Sequence, residues 1–286
     1  MQRNFAEVDV FTAVPYRGNP LAVVIDGTDL STEEMQRFAN WTNFSETTFL
    51  LPPSDSAADY RVRIFTTTTE LPFAGHPTIG SCTAWLNSGG TPQRDDRIVQ
   101  QCGVGLVTIR RDDSGRLAFA APPLLRDGPL DDATLDEAVA ALGISRDAVL
   151  DAAWIDNGPG WLGLLLGSAA EVLAIQPGNT PLKIGVIGAA SGDEDAGNGR
   201  AGNAHAYEVR GFFPEDGRTF EDPVTGSLNA SAAQWLIATG RFTPPYVAVQ
   251  GTALGRAGRV YISTDEGGQV WVGGDAVICV SGTVNL

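Results

Sequence analysis

The sequence predicts an α+β fold made of two similar halves, and three observations lead there. Strand patterns outnumber helical ones along the 286 residues. Turn signals join neighbouring strands as hairpins, which favours antiparallel sheet over a wound parallel one. A Gly/Pro turn followed by an apolar helix occurs twice, at Phe73 to Leu86 and at Phe220 to Leu236, as a duplicated unit would require.

The strands come first. Ala6, Val8 and Val10 alternate with Glu7 and Asp9, Leu21 to Ile25 is one apolar run, and Tyr60, Val62 and Ile64 alternate again. Alternation of this kind is the period of a half-buried strand. Hairpins are expected where Asp112-Asp113-Ser114-Gly115 separates VGLVTIRR from RLAFAAP, and where Asp265-Glu266-Gly267-Gly268 separates RVYIST from QVWVGG.

Helices are few. Ser31 to Glu34 is a capping box that opens a helix carrying Met35, Phe38 and Ala39 on one face. Thr134 to Glu137 reads as a second box, with Gly143 as the stop. Two apolar helices are expected from Pro77 to Leu86 and from Ser227 to Thr239. Gly185 to Gly202 reads as a long loop and Pro122 to Pro129 as an interdomain connection, both being rich in turn residues. The boundary is placed near residue 120, giving domains 1–120 and 121–274, with a C-terminal strand at about 275–286 able to return to the first.

The internal echo aligns Pro77 with Pro223 and Gly80-Ser81 with Gly226-Ser227. Trp85-Leu86 and Trp235-Leu236 follow, displaced in the second copy by four residues, or about one helical turn.

Composition removes several functional classes. A net charge of −15 repels phosphate backbones and anionic membranes, so neither nucleic acid nor membrane is an expected partner. The longest apolar stretch, Trp161 to Ile175, contains Glu171 and is shorter than the ~20 residues of a membrane helix. The opening MQRNFAEVDV lacks a basic segment and apolar block, so no secretory signal is expected. Cys82, Cys102 and Cys279 are odd in number and far apart, which favours a reducing, cytoplasmic setting over disulfides or structural zinc. Lys183 is the single lysine, a poor basis for Schiff-base cofactor chemistry.

Chemistry is expected where the two helices begin. Backbone N–H groups and the positive dipole end at a helix start suit a carboxylate or a developing enolate. Beside these turns lie His76, Glu221 and Asp222, while Glu46 heads an apolar strand between Phe44 and Phe49. Partial desolvation there would suit proton transfer near neutrality. Taken singly, Glu46 also reads as a solvated strand-end carboxylate, His76 as a turn histidine, Asp222 as a helix cap, and Ser81 and Ser227 as ordinary helix starts. His205 reads as structural. Gly185-Val-Ile-Gly188 lacks the spacing and context of a dinucleotide fingerprint, and no GK[ST] loop, GxSxG elbow or metal-ligand spacing occurs.

Several blocks together resemble a known family. They are Asp9 to Thr12 with Gly18 to Val23, Asn43 to Phe49, Arg63 to Thr66, Glu70 to Gly80, Arg210 to Pro214 and Glu221 to Ser227. In this order they strongly resemble the phenazine biosynthesis PhzF-like family. The resemblance implies a diaminopimelate epimerase-like fold: two alike α+β domains, each a curved, mainly antiparallel sheet around a central helix, with the active site between them. It implies cofactor-free proton transfer in which Glu46 removes and returns a proton, His76 and Asp222 orient the substrate, and Ser227 with the Gly226 turn holds its carboxylate. Ser45 and Gly75 join the substrate-binding set by the same match, and a homodimer is expected. Related epimerases use two thiols, whose places look like Ala74 and Pro223 here, so two-thiol racemisation is not expected. Gly197-Asn-Gly199 reads as a decoy of one such turn, and Thr66 to Thr69 departs from the Thr-Pro common in the family.

The leading expectation is a cytoplasmic isomerase that moves a proton within a small carboxylic acid, dihydro-hydroxyanthranilate-like or amino-acid-like, with no cofactor and no metal. The alternative is a non-catalytic metabolite-binding protein of the same fold. A hydrolase pairing Glu46 with Asp222 is a third.

Overall fold

The computed structural model describes residues 1–112, 114–190 and 205–286. In chain order the first elements are β1 (Gln2–Val10), β2 (Asn19–Ile25), α1 (Thr32–Thr42), β3 (Thr47–Leu51), β4 (Tyr60–Phe65), β5 (Glu70–Leu71), α2 (Gly75–Asn87), β6 (Ile98–Cys102), β7 (Gly105–Arg111) and β8 (Leu117–Ala120). Then come β9 (Arg126–Pro129), α3 (Asp132–Leu142), β10 (Asp151–Asp156), β11 (Trp161–Leu166), α4 (Ala169–Ala174), β12 (Lys183–Ala189) and β13 (His205–Glu215). The last are β14 (Arg218–Asp222), α5 (Gly226–Ala238), β15 (Tyr246–Gln250), β16 (Gly258–Thr264), β17 (Val270–Gly274) and β18 (Ala276–Asn285). Among the described residues no helix is long and apolar enough to cross a membrane.

The chain divides into one unit of residues 1–120 and 273–286 and a second of residues 121–272. In the first unit β1 pairs antiparallel with β2 and β18, β2 parallel with β3, β3 antiparallel with β4, and β4 parallel with β6, which continues antiparallel into β7 and β8. The second unit repeats the scheme. There β10 and β11 form the hairpin, β11 runs parallel to β12, β12 antiparallel to β13, β13 parallel to β15, and β15 antiparallel to β16. The fold is α+β and mainly antiparallel.

Each unit has one helix buried almost all round. Nine of the thirteen residues of α2 are buried, and nine of the thirteen of α5. Helices with no polar face belong inside a sheet layer. The close approach is made differently in the two units. In α2 the helix gives way: a Cβ on Gly80 would stand 2.5 Å from Leu21 Cδ2. Around α5 the strand gives way, since a Cβ on Gly185 of β12 would stand 2.3 Å from Leu228 Cδ1. The other face of each sheet carries the amphipathic helices. Met35, Ala39 and the partly buried Phe38 of α1 pack with Val24, Phe49 and Phe65 in the first unit. Ala138, Leu142 and Val172 pack with Leu162, Leu164, Ile184 and Phe212 in the second.

The capping box at Ser31 and Glu34 is present, and both expected hairpin turns have strands on their flanks. Other expectations need correction. The cap of α3 is Asp131, whose carboxylate accepts from the Thr134 N–H and hydroxyl, so Thr134 lies inside the first turn; Gly143 closes the helix with φ 66° as expected. The Pro-rich connection contains β9, which pairs with β10. Trp161 to Ile175 splits into β11 and α4, the latter opened by a capping box of Ser168 and Glu171. The supposed loop from Gly185 begins as β12, because Gly185 makes room for Leu228 and Gly188 for the Ser168 backbone, and neither marks a turn. The rest of that stretch, with Gly197-Asn-Gly199, lies outside the described residues.

The echo is real but its register differs. Helices α2 and α5 begin at Gly75 and Gly226, with Ala74 and Thr225 as their caps. Pro77 therefore sits inside the first turn, where its missing N–H costs nothing, whereas Pro223 precedes its helix. On this register His76 matches Ser227, Thr78 matches Asn229, and Ala74 matches Thr225, not Pro223.

Candidate active site

In the first unit, strand alternation brings an acid to a histidine. Helix α1 ends at Asn43 in the left-handed region, φ 60°, and the chain turns through Phe44 and the exposed Ser45 before β3 begins at Thr47. Phe49 lies in the cluster under α1, whereas Thr48 meets the α2 hydroxyl of Ser81 at 2.9 Å. Glu46, two residues before Thr48, lies on the same side as α2. Its Oε2 is 3.4 Å from His76 Nδ1 in the first turn of that helix.

The two partners differ in environment. The Glu46 side chain keeps 18% of its surface, whereas that of His76 keeps 5%. Burial penalises the imidazolium and pushes the His76 pKa down to about 3, an effect that the nearby Pro20 carbonyl only partly offsets. At neutral pH the ring is uncharged, so the contact is a carboxyl group beside a neutral imidazole and not an ion pair. His76 Nε2 is buried without a hydrogen-bond partner. The start of α2 has no side-chain cap. Thr78 N–H closes the first turn on Ala74 C=O and Pro77 has no N–H, so Gly75 and His76 supply the helix-start donors.

In the second unit Asp222 ends β14 and accepts a 2.7 Å hydrogen bond from the Thr225 hydroxyl. Ser227, in the first turn of α5, accepts from Trp161 Nε1 at 3.0 Å, while its carbonyl accepts from Asn157 Nδ2 at 2.9 Å. Gly226 is the buried first residue of that helix. Here too the cap residue makes no side-chain cap bond.

Three sequence expectations resolve differently. Glu221 is not an acid/base candidate: both its oxygens are taken by Arg210, at 3.0 and 2.7 Å. Ser81 is inside α2 and not at its start. His76 belongs to a helix and not to a turn. His205 opens β13.

Neither helix cap is a cysteine, and burial pushes the Cys82 thiol up to about 12, far from a thiolate at neutral pH. Among the described residues no group of three or more His, Cys, Asp and Glu side chains is placed to hold a metal ion.

Two further residues belong to the site and carry little signal of their own in the sequence. Thr225 lies in the motif between Pro223 and Gly226, where the sequence marks it only as part of a turn. Gln250 is fully buried at the end of the apolar strand YVAVQ. A lone amide closing a run of apolar residues was the available signal, since buried amides must be paired.

The description "Phenazine biosynthesis-like protein" matches residues 8–282. "Antisense-enhancing sequence 1" of Schizosaccharomyces pombe is 36% identical over 98% of each chain, a name that states no reaction. Trans-2,3-dihydro-3-hydroxyanthranilate isomerase of Pseudomonas fluorescens is 31% identical over 99% of each chain. The crystal structure of the Bacillus anthracis phenazine biosynthesis protein, PhzF family, matches all of both chains with a TM-score of 0.81 at 23% identity, a likeness of fold. The chain belongs to the phenazine biosynthesis-like (PhzC-PhzF) family.

Proposed function

We propose that this chain is an isomerase that moves a proton within a small carboxylic acid, with Glu46 taking the proton from an activated carbon and returning it elsewhere. The observation that carries the reading is the Glu46 carboxyl group, partly exposed, 3.4 Å from a buried, neutral His76 at an uncapped helix start. A neutral imidazole orients without competing for charge, and helix-start N–H groups stabilise a delocalised anion as it forms. Asp222 orients the substrate, and Ser227 with Gly226 holds its carboxylate; Ser45 and Gly75 complete the substrate-binding set. Proton transfer of this kind needs no electron carrier and no Schiff base, so the reaction is read as cofactor-independent. The named activity of the Pseudomonas fluorescens relative makes trans-2,3-dihydro-3-hydroxyanthranilate the first acid to try.

Glu46→Gln is expected to lower turnover by about 10²- to 10⁴-fold, the usual worth of a positioned acid/base, while ligand binding persists. Wild-type conversion in heavy water is expected to place deuterium in the product. Full activity of the Gln variant rejects the mechanism. A cytoplasmic homodimer belongs to the same reading, and light scattering of the purified chain checks its mass.

A second reading is a metabolite-binding protein of the same fold. Acids that stabilise the protein in a thermal-shift screen and are never converted would decide for it.

A further inference from the structure

Behind Asp222 stands a chain of buried hydrogen bonds whose direction is forced by one amide. The Gln250 side-chain oxygen accepts from Thr225 N–H at 2.9 Å and from Asn229 Nδ2 at 2.7 Å. A backbone N–H can only donate, so this end of the amide is the oxygen and the other end is the NH₂ group. That group donates to the Asp222 carbonyl and to the Thr225 hydroxyl oxygen, both at 3.0 Å. With its oxygen receiving a proton from Gln250, the Thr225 hydroxyl turns its own hydrogen toward Asp222 Oδ2 at 2.7 Å.

The same wiring explains why α5 has no side-chain cap. A threonine at the N-cap ordinarily accepts from a first-turn N–H. Here the hydroxyl is held between Gln250 and Asp222 and does not cap. The first unit shows what the motif looks like without this link. The equivalent Gln100 is also fully buried and its NH₂ group donates to the Thr78 hydroxyl at 3.0 Å, but its oxygen accepts from Tyr60, and the cap there is Ala74. No hydroxyl stands at that cap to pass a hydrogen bond onward.

We infer that Gln250 and Thr225 are positioning residues: the amide fixes the hydroxyl so that it donates to Asp222 and holds that group as an oriented carboxylate acceptor, while leaving the helix-start N–H groups for an anionic ligand. The inference rests on the reading of Asp222 as a substrate-orienting group, and its test does not need the substrate. Side-chain carboxyl ¹³C shifts of the full, unliganded chain are followed against pH in wild type, Thr225→Val and Thr225→Ser. Removing a hydrogen bond to a carboxylate is expected to raise the Asp222 midpoint by about one unit in the Val variant, with the Ser variant restoring it. Should the Val variant not fold, Thr225→Ala takes its place, with the same rise expected. An Asp222 midpoint that is the same with and without the hydroxyl overturns the inference, as does a Ser variant that behaves like Val. Failure of the isomerase reading is seen separately, in Glu46→Gln retaining full turnover, and does not move this titration.

Discussion

The two units carry the same ion pair on the same strand, once near solvent and once inside. Arg63 of β4 grips Glu70 through two hydrogen bonds, at 2.7 and 2.6 Å, and lies 5.0 Å from the Phe65 ring two residues on. Arg210 of β13 grips Glu221 through two bonds and lies 4.9 Å from the ring of Phe212, again two residues on. The first pair keeps 17% and 38% of its side-chain surface; the second keeps 6% and 9%. Arg63 spends its remaining reach on the Thr32 hydroxyl at the start of α1, whereas Arg210 bonds the Val172 and Ile175 carbonyls at the end of α4. One duplicated device therefore braces a surface in one unit and ties a helix end into the core in the other.

The largest effect is expected from breaking the buried copy. Glu221→Ala leaves the Arg210 guanidinium without its counter-charge and is predicted to destabilise by about 3–5 kcal/mol, read from the denaturant midpoint. A loss under about 1 kcal/mol would mean that water reaches Arg210 and that the two units do not differ as described.

The next effect concerns pH, on which the two units act oppositely. His76 titrates at about 3 when folded against an ordinary value near 6.5. The unfolded chain therefore binds more protons across that window, and the contribution of His76 is present above pH 6.5 and lost on acidification. In the second unit, Glu208 is buried, with Oε2 accepting from Thr252 at 3.0 Å, and burial pushes its pKa up to about 7 from 4.5. There the folded chain binds more protons, so the contribution is present below pH 4.5 and lost as pH rises to 7. Each slope approaches about 1.4 kcal/mol per pH unit and the two oppose between pH 4.5 and 6.5. Relative to wild type, His76→Asn is expected to add a decline with rising pH over that interval, and Glu208→Gln to add a rise. Parallel curves for all three proteins would remove the contrast.

The smallest effect is expected at the exposed copy. Glu70→Ala should cost about 1 kcal/mol or less, since solvent takes over from the lost partner. Equal losses at Glu70 and Glu221 would show that burial is not what separates the units.

Much of the scaffold was readable because local chemistry and period carry it. The Ser31 box, the alternation of β1 and β4, the turns of the hairpins and the apolar character of α2 and α5 are properties of neighbouring residues. Glu46, His76 and Asp222 stood out as titratable groups beside helix starts. The placing of His76 on α2 beside Glu46 of the β3 head was not available, because it depends on which face of a strand meets which helix. Misreadings have one origin. Gly185 and Gly188 look like turn residues until Leu228 is known to fill the space above Gly185. Glu221 looks like an acid/base candidate until Arg210, eleven residues away, is brought across the hairpin.

By itself the sequence determined the α+β class, the repeated strand–helix unit, the lack of thiols at the helix starts and the short list of acids and bases. Patterns of period, turn chemistry and residue type act over a few residues and survive without a fold. Only the tertiary structure decided which charges are buried, that His76 is neutral, that the repeat runs from Gly75 to Gly226, and that Gln250 directs Thr225 onto Asp222. Those properties come from desolvation and from contacts between residues far apart in the chain, and neither exists until the strands have paired.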